Sequence, residues 1–338
     1  MRCCGNCFSD IFLAQYIENE SRTYTACDTC GAYTRKTLDP KKLRDFFEIL
    51  ISSYSQSEID QAKDLYSILK SDWGIFENIN KETADTLLTK ILGSSAPISK
   101  LYIPIDFNTE SIVSWDCFCE EITSANRFFF RTKIDLESIQ GLFDLFLKCN
   151  GSIFNNKIYR ARINTKSAAF GIEEMGPPPA TLAKGGRANP TGIPYLYSAS
   201  TPETAIAETR PHPGDTISIV SIETHATIEL LNLHNPKSLV SPFTIQEDAI
   251  PKLRRELAFL CKLDEDLSQP ILPRNADIDY LPTQYLCEFI KNCGYHGVTY
   301  KSSVHSGTNI ALFGIDHITY NSVSCYKIST LNYTHSVI

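Results

Sequence analysis

The sequence has no histidine before His212. Any metal shell built upstream of that position is therefore all sulfur, or sulfur with a carboxylate. The Arg-x4–6-His motif of one class of helical ribonuclease is also excluded there, because its general base is missing. No apolar run approaches the roughly 20 residues of a membrane span. The opening residues MRCCGNCFSD lack the charged lead and apolar stretch of a secretory signal. The chain is accordingly expected in a reducing, cytoplasmic compartment. Basic residues are in deficit, with 32 Lys and Arg against 39 Asp and Glu and a net charge of −7. That balance disfavours nucleic acid and anionic membrane as partners, since both need a basic face. A small basic pocket for one phosphate-bearing ligand remains open. There is no Walker loop, no G-x-G-x-x-G and no Ser-x-Gly elbow.

What is present is an ordinary globular composition. The 338 residues are 43% hydrophobic and 21% charged, and a chain of that length suggests about two domains. Twelve cysteines in a reducing compartment are not expected to form a disulfide framework. Five of them fall in the first thirty residues, and nineteen residues separate the pair Cys4-x2-Cys7 from the pair Cys27-x2-Cys30. A two-residue gap lets both thiolates of one tight turn reach a tetrahedral Zn²⁺, and a second turn closes the shell. A closed Cys4 shell has no open coordination position, so the zinc is expected to be structural. Cys3 competes with Cys4 for the first position, at the less usual gap.

Residues 40–150 read as mostly helical. Leu43, Phe46, Phe47, Leu50 and Ile51 recur at spacings of three and four, as do Ile59, Ala62, Leu65, Tyr66 and Ile68 within a helix expected over 58–70. Thr83–Leu92 and Ile134–Leu147 are further candidates. From Lys157 the texture changes. Strands are expected at 158–163, 195–197, 215–222, 227–233, 297–300 and 309–313. Helices are expected at 202–209, 250–260 and 282–292, the first capped by Ser200 or Thr201 with Pro202 at its first position. Between them lies a turn-rich stretch from Gly171 to Gly192. Strands of varied connection mark an α+β fold.

One ordered set of residues resembles the RES domain. It comprises Tyr159-Arg160, then Gly185-Gly186-Arg187-Ala188-Asn189-Pro190 with Gly192 and Leu196-Tyr197. Glu203-Thr204-Ala205 with Glu208 follow, then Gly297-Val-Thr-Tyr300-Lys-Ser302 and Asn309–Phe313. The cysteine pairs and helical texture upstream resemble the HEPN/RES N-terminal extension. The expected organisation is a zinc ribbon over 1–38, a HEPN-like helical domain over 39–150 and a RES catalytic domain over 151–330. The resemblance implies an ADP-ribosyltransferase-like catalytic fold and an NAD⁺-consuming toxin. Such a toxin cleaves the nicotinamide–ribose bond by phosphorolysis or hydrolysis, with NAD⁺ and inorganic phosphate as its small-molecule partners. Alternatives are transfer of ADP-ribose to a macromolecule, or a zinc-ribbon binding module with a vestigial catalytic half. An enzyme that drains NAD⁺ needs restraint, by an antitoxin or by its own N-terminal half.

The family Glu matches Glu208, expected to stabilise positive charge growing on the ribose. Arg160 interrupts an apolar strand alternation, where a guanidinium needs an anion; Arg162 competes with it. The family Ser matches Ser302, with Ser303 its neighbour, and its expected work is to orient the Glu or hold the ribose. Arg187 is a candidate for gripping diphosphate or phosphate. Tyr197 is a candidate for stacking on nicotinamide or donating to it. Asn189 is expected in the lining, with Lys184, His305 and Asn309 as further candidates.

Overall fold

The computed structural model of the protein describes residues 1–33, 35–106, 115–129, 131, 134–165, 168–269 and 276–331, without the side chain of Phe146. The chain packs as two compact units. One comprises residues 1–112 with 236–259, the other 113–235 with 260–338. Among the described residues no helix is long and apolar enough to cross a membrane.

The first unit opens with a cysteine knuckle and α1 (Ile11–Glu20), followed by the short ribbon β1 (Tyr24–Thr25) and β2 (Arg35–Lys36), between whose strands the second knuckle lies. Asp10 caps α1 by accepting from the Leu13 N–H at 2.8 Å. Helix α2 (Arg44–Ser52) carries the expected stripe inward through Phe47 and Leu50. The reading of 40–150 as mostly helical omits a three-stranded sheet of order β3-β5-β4: β3 (Tyr54–Gln56), β4 (Lys63–Asp64) and β5 (Leu101–Pro104). Strands of two to four residues are too short to show alternation. The helix expected from residue 58 begins later, as α3 (Leu65–Trp73), because the Asp64 carboxylate caps it at the Ser67 N–H. Helix α4 (Lys81–Leu92) starts on Asn80 and stops on Gly93 at φ 70°.

Residues 236–259 were expected within the C-terminal domain but pack in this first unit. The Phe243 ring centroid lies 5.3 Å from that of Phe47 and 6.3 Å from that of Phe46. Arg254 ion-pairs with Asp106 at 2.7 Å.

The second unit begins with α5 (Trp115–Glu120) and α6 (Leu136–Leu142) and is organised by an eight-stranded mixed sheet. In chain order its elements are β6 (Lys148–Cys149), β7 (Lys157–Ile163), β8 (Leu196–Ala199), α7 (Pro202–Glu208), β9 (Thr216–Thr224) and β10 (Leu230–Asn232). Then come α8 (Ile250–Ser268), which starts in the first unit, α9 (Ala276–Asp279), α10 (Leu281–Asn292), β11 (Gly297–Lys301), β12 (Thr308–Leu312) and β13 (Ile318–Lys327). The sheet order is β13-β9-β7-β8-β12-β11-β10-β6. Among the described residues its one parallel pair is β10–β11. Ile158, Leu196, Val220, Ile222, Leu230, Ile310 and Leu312 are fully buried in one apolar cluster on this sheet. These features make the fold α+β.

Candidate functional site

Strands β7 and β8 pair only at Tyr159↔Ala199. Beyond that pair the sheet parts, and backbone groups lose their ladder partners. Arg160 meets one of them: its Nη1 donates to the Tyr197 carbonyl across the gap at 2.9 Å. The opening holds a cavity of about 160 Å³ that is open to solvent, lined among others by Arg160, Tyr197, Glu208, Tyr300 and Asn309.

The remaining donors of Arg160 are poorly served. Its Nε is buried and has no hydrogen-bond partner among the described residues, nor does any described carboxylate pair with it. Burial, helped by the neighbouring charge of Arg162, pulls the guanidinium down to about 10. It stays charged at neutral pH, so the cavity contains a partly desolvated cation in want of an anion. Arg162 points elsewhere. It donates to the Glu174 carbonyl and stacks on Phe170, 4.6 Å from the ring centroid.

Glu208 reaches the same cavity from the end of α7. Thr201 starts that helix by accepting from the Thr204 N–H at 3.1 Å, and Pro202 pre-sets its first turn. The seven residues then carry Glu208 to the last position. A carboxylate there works against the helix dipole. Two donors compensate: Ser302 Oγ at 2.7 Å and Asn309 Nδ2 at 2.6 Å, both to Oε1. The Ser302 hydroxyl also accepts from the N–H groups of Val304 at 3.3 Å and His305 at 3.1 Å. Its one proton and both lone pairs are thereby committed. It is a clamp on Glu208, and the two backbone N–H groups that occupy its lone pairs leave it none to attack with. Ser303 is exposed.

The structure brings Arg160, Tyr197, Glu208 and Ser302 together, whereas Asn189 and Arg187 do not line the cavity. The Tyr197 hydroxyl is already engaged: it donates to Asn189 Oδ1 at 2.7 Å and accepts from the Ala188 N–H at 3.1 Å. Its hydroxyl is thereby spent within the protein. Asn189 is buried, and its Nδ2 donates to the carbonyls of Lys184, Pro190 and Ile193 at 2.9–3.1 Å, so it organises the loop. The Arg187 guanidinium donates to the Leu267 carbonyl at 3.1 Å and to that of Gln269, closing the end of α8. A strand-end Tyr and a Gly-flanked Arg read as ligand groups in sequence, yet here the Tyr197 hydroxyl holds the loop and the Arg187 guanidinium the end of α8.

Gly186 makes that loop possible. A Cβ on it would stand 2.6 Å from Tyr197 Oη and 2.7 Å from Asn189 Oδ1, breaking into their hydrogen bond. Gly186→Ala is expected to cost about 1–3 kcal/mol. Thermal melting should show a drop of several degrees, and an unchanged melting temperature would refute this account of the loop.

A second cluster lies in the first unit. The sulfurs of Cys4, Cys7, Cys27 and Cys30 all lie within 4.8 Å of one another, and this group could hold a metal ion. Closest approaches are 4.0 Å for Cys4–Cys7, 3.6 Å for Cys4–Cys30 and 3.5 Å for Cys7–Cys27. Four ligands about 2.3 Å from a tetrahedral ion stand about 3.8 Å apart, so the donor set suits zinc. Cys3 faces away, its Sγ 3.6 Å from the Leu38 carbonyl. The knuckles are tight turns. Gly31 adopts φ 70°, and a Cβ on Gly5 would meet the Ala14 Cα at 2.7 Å.

Comparison with known proteins finds a family model, described as the RES domain, matching residues 157–334. A chain of the M. tuberculosis MbcT–MbcA toxin–antitoxin complex is similar at 13% identity and a TM-score of 0.33. The alignment covers 56% of this chain and 93% of that one. No curated protein matches.

Proposed function

The chain belongs to the RES domain family, and on that premise we propose that its split-sheet cavity consumes NAD⁺ by breaking the nicotinamide–ribose bond. The observation that carries this reading is the pairing of opposite needs in one cavity. Arg160 is a half-buried cation whose Nε is buried and which has no carboxylate partner among the described residues, and Glu208 is a carboxylate locked in place by two donors. A dinucleotide satisfies both, with its diphosphate against the guanidinium and its nicotinamide ribose against the carboxylate.

As the bond lengthens, the electron pair leaves with nicotinamide, whose ring nitrogen loses its positive charge. Positive charge moves onto the ribose C1′ and O4′. Glu208 is held where it stabilises that charge electrostatically. Water then gives ADP-ribose and a proton, while inorganic phosphate gives ADP-ribose 1″-phosphate. Purified protein incubated with NAD⁺, with and without phosphate, is expected to release one nicotinamide per NAD⁺ lost. A phosphate-dependent rate with a phosphorylated product identifies phosphorolysis. Label appearing on macromolecules of a cell extract would identify transfer instead. Intact NAD⁺ under all these conditions would overturn the reading.

The rest of the reading follows from this activity. The Cys4 cluster holds a structural zinc within a ribbon over 1–38. We place the helical HEPN-like part at residues 39–112 with 236–259, and the catalytic part at 113–235 with 260–330. An enzyme of this kind, working in the cytoplasm, is a toxin to its own cell. Its restraint comes from an antitoxin or from the N-terminal half, in a toxin–antitoxin or defence setting.

A further inference from the structure

Asn309 lies on β12, in the cross-strand row Tyr159–Ala199–Asn309–Tyr300 that spans four strands at the cavity. Its side chain is divided between two tasks. A carboxylate only accepts, so the amide group facing Glu208 Oε1 must be Nδ2, and the 2.6 Å contact fixes the orientation. Oδ1 is thereby turned the other way. Asn309 is 7% exposed, and this oxygen is buried with no hydrogen-bond partner among the described residues. Buried acceptors are almost always paired. An orphan oxygen on a residue lining a ligand cavity is therefore a subsite awaiting a donor.

We infer that Asn309 Oδ1 accepts a hydrogen bond from the 2′-hydroxyl of the nicotinamide ribose, so that Asn309 reads the sugar while its other end holds the catalytic carboxylate. The inference rests on the NAD⁺ reading above and names a substrate contact within it. The choice of hydroxyl follows from distance: Oδ1 is one amide width and one 2.6 Å hydrogen bond from Glu208 Oε1. That carboxylate must sit beside C1′ to act, and the hydroxyl adjoining C1′ is the 2′-OH.

The test compares kcat/KM for NAD⁺ and for the analogue lacking that 2′-hydroxyl, in wild type and in Asn309→Ala, Asn309→Ser and Asn309→Asp. The analogue differs in intrinsic reactivity, but that difference is common to all four proteins and cancels between them. Disturbing Glu208 lowers both substrates together and leaves their ratio unmoved, so the ratio isolates Oδ1. The preference for NAD⁺ is expected to shrink about tenfold in Asn309→Ala and Asn309→Ser. Asn309→Asp keeps an acceptor and loses the donor, so it should retain the preference while kcat falls. A ratio unchanged in the Ala and Ser variants, with NAD⁺ still consumed by wild type, overturns the inference alone. A wild type that leaves NAD⁺ intact overturns both.

Discussion

Glu208→Gln is expected to lower NAD⁺ turnover by about 10²–10³-fold. The melting temperature should stay close to that of wild type. The two halves of this prediction have one cause. Glutamine has the shape of glutamate, and its carbonyl oxygen can still accept from Ser302 Oγ and Asn309 Nδ2, the two donors that hold Oε1. The helix end loses an anion that opposed its dipole, so stability does not depend on the charge. What disappears is the negative charge facing the ribose as the glycosidic bond lengthens. Nicotinamide release measured beside thermal melting checks both halves. Turnover within a few-fold of wild type would remove Glu208 from the chemistry. A collapse in melting temperature would show that the charge has a structural task not described above, and Glu208→Asp, which keeps the charge but shortens the reach, would then report on position.

The second large effect is expected at the cysteine cluster. Cys7→Ser should reduce bound zinc from about one per chain to near none. Metal-binding free energy in such knuckles is folding free energy, about 10–16 kcal/mol for small zinc-finger peptides. The substitution should therefore open residues 1–38 to protease. Cys3→Ser should leave the metal in place, since the Cys3 sulfur faces the Leu38 carbonyl and stands outside the four-sulfur group. Metal analysis with limited proteolysis of both variants decides it. Equal zinc in wild type and Cys7→Ser would exclude this cluster as the site.

Much of the site was legible because local chemistry announced it. A charged residue breaking an apolar strand, as Arg160 does, is costly without an anion. The cap at Thr201 and Pro202 fixed where α7 begins and hence where Glu208 ends. The four cysteines carried their own spacing. The choice between Arg160 and Arg162 was not legible, because the two differ only in which lies opposite the parting of β7 and β8, a feature of long-range register. Nor was the inward turn of Tyr197 and Asn189, since their partners come from a loop whose path Gly186 dictates. Asn309 entered only as a lining candidate: its pairing with Glu208 joins residues 101 positions apart. Strand β13 went unread because it is an edge strand whose residues are mostly exposed, so it carries no apolar alternation.

The path of the backbone has a consequence for inheritance. The chain leaves the first unit after residue 112, returns to it at 236 and leaves again after 259. A gene truncated at its 5′ end would keep every residue proposed for NAD⁺ cleavage. It would nonetheless encode Phe243 without the aromatic neighbours Phe46 and Phe47 that cover it, and Arg254 without Asp106. Shuffling the catalytic half onto a new partner by simple cut-and-paste therefore leaves a sticky, mispaired remnant. Lineages carrying this architecture are expected to gain or lose both halves in one event.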